Sequence, residues 1–221
     1  MTVDEVTEED WYRQLSFRRA LTVVEATLSQ RKARLVACAV SSAFAPYTAD
    51  PGLRAMLHIA ERMAEGHEVD QGLLLDNVVH RLLDLGTTGR AFSFYGAEYT
   101  HRLICGLLDE PFDLTAFARQ FEELCRNRWD NPGGELVCHR LLREFVGNPF
   151  RPPHFMTAWR TADTLGLARG IYEDRAFDRM PLLADALMDA GCDDEQIISH
   201  CRNGGPHVRG CWVVDLVLGK E

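Results

Sequence analysis

The chain of 221 residues has no apolar run that could cross a bilayer. Its longest, LVACAV and WVVDLVL, fall far short of the ~20 residues that a spanning helix needs. It has no surplus of positive charge either. With 24 Lys and Arg against 33 Asp and Glu, the formal net charge is −9. That balance argues against general binding to nucleic acid or to an anionic membrane, because both require a basic face. Residues 1–15 are acidic and polar rather than basic and then apolar, so no secretory leader is expected there. No segment alternates apolar and polar with period two, which argues against half-buried strands. The sequence also lacks a P-loop, a G-x-G-x-x-G after a strand, a G-x-S-x-G, an H-E-x-x-H and any C-x-x-C pair.

Helical punctuation is what the sequence has in quantity. Thr7 precedes EEDWYRQL as a cap, with acidic residues in the first turn where the helix dipole favours them. Apolar positions at helical spacing run through SFRRALTVVEATLSQRKARLVACAVSSAF, with a break near Ser29. Asp50 caps and Pro51 opens a helix with Leu53, Met56, Leu57 and Ala60 on one face, closed by Gly66. Asp70 caps another that ends at Gly86, and the more aromatic GRAFSFYGAEYTHRLICGLL reads as a further helix, with a strand piece as the alternative. Phe117, Phe121, Leu124 and Cys125 form one stripe, and GGELVCHRLLREFVG restarts after an Asn-Pro stop.

The composition then shifts. GNPFRPPHF, from Gly147 to Phe155, carries three prolines and no helical period. Short helical patterns follow, and the last, VRGCWVVDLVLG, places Val208, Cys211, Trp212 and Asp215 at helical spacing. The expected fold is all-α: a multi-helix N-terminal bundle (1–146), a Pro-rich connector (147–155) and a compact C-terminal module of short helices (156–221).

The runs GNPFRP, LARGIYEDRAFDRMPLLADALMDAGCDDEQIISHCR and PHVRGCWVVDLVLGK are similar to a family of small helical proteins abundant in planctomycete bacteria. The likeness is specific from Gly147 to Lys220. Before that only RKARLVACAV resembles a family segment, one that is typically richer in cysteine and aromatic residues. This resemblance implies a fold unit and a lineage, and it brings no activity with it.

Seven cysteines, an odd number without a leader, read as reduced thiols in a cytoplasmic protein. Three of them lie near two histidines in GCDDEQIISHCRNGGPHVRGC. Zinc takes four tetrahedral Cys or His ligands. Cys201, His207 and Cys211 offer C-x5-H-x3-C, with Cys192 or His200 as a fourth ligand and Gly-Gly-Pro as the turn between the arms. Against this stand the missing tight C-x-x-C pair and the roughly 100° between adjacent His200 and Cys201 on a helix. In the other reading Cys201, Cys211 and Trp212 are core, His207 bonds a loop carbonyl and His200 faces solvent. His101 and Cys105 form a second pair at i and i+4. A cysteine beside a histidine, oriented by Asp215 or Asp185, would make a thiolate–imidazole pair, although cysteine is more commonly just buried.

The leading expectation is a non-enzymatic protein–protein interaction or accessory module, without a cofactor and with a protein partner. Its groove would lie between the two parts, lined by Phe145, Phe150, Phe155, Trp159 and Trp212, because aromatic anchors dominate interface energetics. Two alternatives stand beside it. One is a zinc-stabilised regulatory domain using Cys192, Cys201, His207 and Cys211. The other is a cysteine-dependent hydrolase or transferase.

Overall fold

A computed structural model describes residues 6–13, 15–44, 51–69, 106–108, 111–128 and 133–220. Among these the chain is all-α, as expected. Ten helices follow one another: α1 (Glu8–Tyr12), α2 (Phe17–Val24), α3 (Gln30–Phe44), α4 (Pro51–Ala64), α5 (Leu114–Arg128), α6 (Gly133–Val146), α7 (Ala162–Asp174), α8 (Met180–Asp189), α9 (Glu195–Arg202) and α10 (Trp212–Leu218). None of them is long and apolar enough to cross a membrane. The helix expected from Asp70 to Gly86, the Asp50 cap and the His101/Cys105 pair lie outside the described residues.

Caps account for the boundaries. Thr7 and Asp10 form a reciprocal capping box at α1, each side chain accepting from the other's backbone N–H. The break between α2 and α3 falls at Ser29, whose Oγ accepts from Lys32 N at 3.2 Å. Pro51 opens α4, where its missing N–H costs nothing. Gly66 follows that helix at φ +75°, a conformation that glycine adopts without penalty.

The chain divides into two compact units, Ser16–Cys138 and Met1–Leu15 with His139–Glu221. In the first, α3 packs on α4, and α2 and α3 pack on α5. Phe17 meets Phe121 edge-on at 6.5 Å, and Phe117 stacks on Phe121 at 6.1 Å. In the second, α7 to α10 enclose an apolar core that includes Trp159, Ile171, Leu183, Leu187 and Val213.

This division differs from the expected boundary near Gly147. The first fifteen residues and the end of α6 belong with the C-terminal helices, and the Pro-rich stretch lies within that unit. Trp11 explains why. It is fully buried, packs edge-on to His139 at 5.5 Å, and its indole N–H donates to the Gly147 carbonyl at 3.1 Å. Glu8 accepts from Asn148 Nδ2 at 2.9 Å and pairs with Arg151 at 2.9 Å. These contacts span well over a hundred residues of sequence, beyond the reach of any local periodicity.

Gly147 is demanded twice over. Its φ is +69°, and a Cβ there would lie 3.1 Å from the indole ring of Trp212. Gly147→Ala is expected to destabilise this unit by about 1–3 kcal/mol, from left-handed backbone strain and displacement of Trp212. Urea unfolding followed by tryptophan fluorescence measures it, and an unchanged midpoint would contradict the assignment.

Candidate metal centre

Four side chains of the second unit converge: Glu144, His200, His207 and Cys211. Their donor atoms all lie within 4.8 Å of one another. Glu144 sits on α6 beside Leu141, Leu142 and Phe145, all buried, so helical geometry carries the carboxylate inward; the residue is 4% exposed. His200 is placed by α9. Asp194 caps that helix, accepting from Gln196 N at 2.9 Å and Ile197 N at 3.2 Å, and it also accepts from His154 N at 3.0 Å. Ile197 and Cys201, one turn apart, form the core face of α9. His200, about 100° round from Cys201, therefore points sideways toward Glu144.

His207 comes from the loop that follows α9. Its Nε2 lies 2.9 Å from the Asn203 carbonyl. Cys211 directly precedes α10 and is fully buried. The spacing among the four is tight. His207 Nδ1 lies 2.7 Å from Glu144 Oε1, His200 Nε2 lies 3.4 Å from the same oxygen, and His200 Nε2 lies 3.2 Å from Cys211 Sγ. Ligands at ~2.0–2.3 Å around a tetrahedral zinc ion are themselves separated by roughly 3.3–3.8 Å. The two spacings to His200, 3.4 and 3.2 Å, are near that figure, while the Glu144–His207 pair at 2.7 Å is at hydrogen-bond length and would have to open.

The electrostatics follow from burial and pairing. Burial alone would raise the Glu144 pKa, but hydrogen bonds from His200 and His207 outweigh it and hold the carboxyl down at about 2. Burial opposes the charge on His207, yet the Glu144 hydrogen bond wins and its pKa is raised. Burial pushes the Cys211 thiol well above its ordinary value, and the Glu144 charge pushes it further. A metal-free Cys211 is therefore a protonated thiol, whereas a bound metal ion would take it as thiolate.

Of the four ligands expected from sequence, His207 and Cys211 are in this cluster. Cys192 and Cys201 are not: both are buried in the apolar core, and burial drives the Cys201 thiol up to about 12. The offset between His200 and Cys201 decides this, since the turn that brings His200 to Glu144 sends Cys201 inward. His200 does not face solvent; its side chain is 17% exposed. Glu144 is a member that sequence reasoning misses. Its one signal is an acid set among the inward-facing positions of a helix.

A pocket of about 780 Å³ opens beside the cluster, and Glu144, His200 and Trp212 line it. Trp212 is the one member of the expected aromatic groove found in its lining. Phe145 and Trp159 are core residues at 0% and 1% exposure, too buried to act as surface anchors. Phe155 packs partly buried on Trp159 at 5.4 Å, and Phe150 is exposed.

Fold and site together define an all-α chain with a buried, mixed carboxylate–imidazole–thiol cluster at the edge of a pocket. No family model matches the chain, and neither a curated protein nor a solved structure is significantly similar to it.

The Glu144–His207 pair gives the metal-free protein a definite pH dependence. Glu144 has a depressed pKa, so its contribution is complete above 4.5 and is lost as the pH falls toward about 2. His207 has a raised pKa, so its contribution is complete below 6.5 and is lost as the pH rises through the raised value. Cys211 stays protonated across this range, and both imidazoles face the one carboxylate. The melting-temperature advantage of chelator-treated wild type over Glu144→Gln should therefore plateau between pH 4.5 and 6.5 and shrink on both sides. Buried His139, whose lowered pKa favours folding as the pH rises through this window, acts on both proteins alike. An advantage that stays constant above pH 6.5 would show that the pair is not its cause.

Proposed function

We propose that the unit formed by residues 1–15 and 139–221 is a metal-binding regulatory module. In this reading it takes a divalent ion of the zinc class at Glu144, His207, Cys211 and the position beside His200. The observation that carries the proposal is the convergence of four donor atoms within 4.8 Å of one another in a buried setting. Imidazole and thiolate suit zinc and neighbouring transition metals, whereas magnesium and calcium prefer oxygen ligands alone. The Asn203 carbonyl behind His207 adds support, since metal-bound histidines ordinarily donate their second N–H to such an acceptor.

A non-enzymatic, accessory role fits the same geometry better than thiol catalysis does. A nucleophilic cysteine needs access and a lowered pKa. Cys211 is fully buried and its thiol is raised. The Glu144 carboxylate and the Cys211 sulfur also face the same nitrogen of His200, whereas a relay needs the acid at one nitrogen and the nucleophile at the other. The protein partner of such a module belongs to the proposal as a class only.

Metal analysis of the purified full-length chain tests the reading. One zinc ion per chain is expected after loading and desalting. Glu144→Ala, His207→Ala and Cys211→Ser should each weaken zinc binding by at least ~100-fold, while Cys192→Ser and Cys201→Ser should keep it. Absence of stoichiometric metal from the wild-type chain would sink the proposal, and retention of metal by Cys211→Ser would move the site elsewhere.

A further inference from the structure

The two imidazoles of the cluster have opposite surroundings, and their hydrogen-bond partners assign different roles. His207 turns Nε2 to a backbone carbonyl, Asn203 O, at 2.9 Å. A carbonyl only accepts, so Nε2 carries a proton and Nδ1, which faces Glu144 at 2.7 Å, is the nitrogen that offers a lone pair to a metal. His200 is the reverse. The indole N–H of Trp212 lies 3.1 Å from His200 Nδ1. Indole nitrogen only donates, so Nδ1 is the acceptor and the proton sits on Nε2. That protonated Nε2 is the atom that points at Cys211 Sγ and Glu144 Oε1. Giving that proton up to a metal would leave His200 with no ring proton, an imidazolate, whereas His207 keeps its Nε2 proton when Nδ1 releases its own to bind the metal.

Position separates them as well. His200 and Glu144 border the pocket, while His207 and Cys211 do not. From α6, Arg140 and Arg143 line the same pocket. Arg143 lies over the Tyr12 ring at 4.5 Å, and neither guanidinium has a carboxylate partner among the described residues. Apart from Glu144, Glu195 is the one acid in the lining. In a chain of net charge −9 this is a local cationic wall.

We infer that Glu144, His207 and Cys211 are the metal ligands, and that the fourth coordination position opens to the pocket. There it receives an oxyanion, a carboxylate or a phosphate, which His200 Nε2–H and the Arg140/Arg143 wall hydrogen-bond. His200 is thus a positioning residue fixed by Trp212. Three protein ligands with one open position distinguish a metal site that accepts an exogenous ligand from a closed structural one. Arginine supplies the matching donors, since its planar fork pairs with both carboxylate and phosphate.

The inference rests on the metal-binding reading, and two measurements on the full chain separate their fates. The first is long-range ¹H–¹⁵N NMR of the histidine rings in zinc-loaded wild-type protein. His207 should be ligated through Nδ1 with a proton on Nε2, and His200 should be unligated with its proton on Nε2. Ligation of His200 Nε2 overturns the inference and leaves the metal reading standing. Failure of the wild type to take up metal overturns both.

The second is titration of the cobalt-loaded protein with inorganic phosphate and, separately, with acetate, followed in the visible spectrum. A saturable change with either anion is expected, weakened about tenfold in Arg143→Gln, the loss of one charge-assisted contact. The anion that responds identifies which source of the oxyanion the site accepts. Spectra unmoved by both anions would rule out the open position.

Discussion

The buried carboxylate of Glu144 is the constraint on which the candidate site depends. An isolated carboxylate removed from water is too costly to persist without partners. Glu144 meets this by accepting from His207, 63 residues later in the chain, and by facing His200 on a different element. That requirement joins the end of α6, the side of α9 and the loop before α10 at one point. The pair is charge-assisted at 2.7 Å, the shorter kind of hydrogen bond, and it keeps the ion pair charged where burial would neutralise it.

The tryptophans carry this constraint outward. Trp11 donates to the Gly147 carbonyl just beyond α6, and the Trp212 ring packs where a side chain at that glycine would stand while its N–H donates to His200. One backbone position thus links the N-terminal segment to the ring that sets the state of a histidine. Because Gly147 has no Cβ, the indole can lie flat on it; the same glycine at φ +69° turns the chain out of α6 into the Pro-rich stretch. Further along, that stretch is tied through His154 N to Asp194, the cap of the helix that bears His200.

Much of this is legible in the sequence alone. Thr7, Ser29 and Pro51 mark helix starts by the same chemistry that operates in the folded chain, and the all-α reading follows from periodicity. The C-terminal cluster is legible in its neighbourhood but not in its membership. His207 and Cys211 stand out, while Glu144 does not, because LLREFV reads as an ordinary amphipathic helix when its partners lie dozens of residues away. Cysteine near histidine suggests metal, which is what draws Cys192 and Cys201 into the expected site, yet the phase of α9 sends Ile197 and Cys201 inward together. That the chain divides between Cys138 and His139 rather than near Gly147 has a related reason. Proline marks a break in helical period, but it does not report whether the flanking pieces pack on one core, and here Trp11 packs across the break.

The composition of the cluster bears on why it exists. A buried ion pair is a poor route to stability, since well-packed apolar residues of similar volume commonly do as well or better. The surroundings could supply them: Leu141, Leu142 and Phe145 flank Glu144, and Val213 and Val214 follow Cys211, all buried. A chain that keeps a carboxylate, two imidazoles and a thiol in such a place bears a desolvation cost that packing alone does not require. The cost would make sense if Glu144, His207 and Cys211 serve a metal ion, His207 Nδ1 and Cys211 giving up their protons to it. It makes further sense that the cluster lies at the wall of a pocket, since a closed structural ion gains nothing from access, whereas one that receives a ligand depends on it.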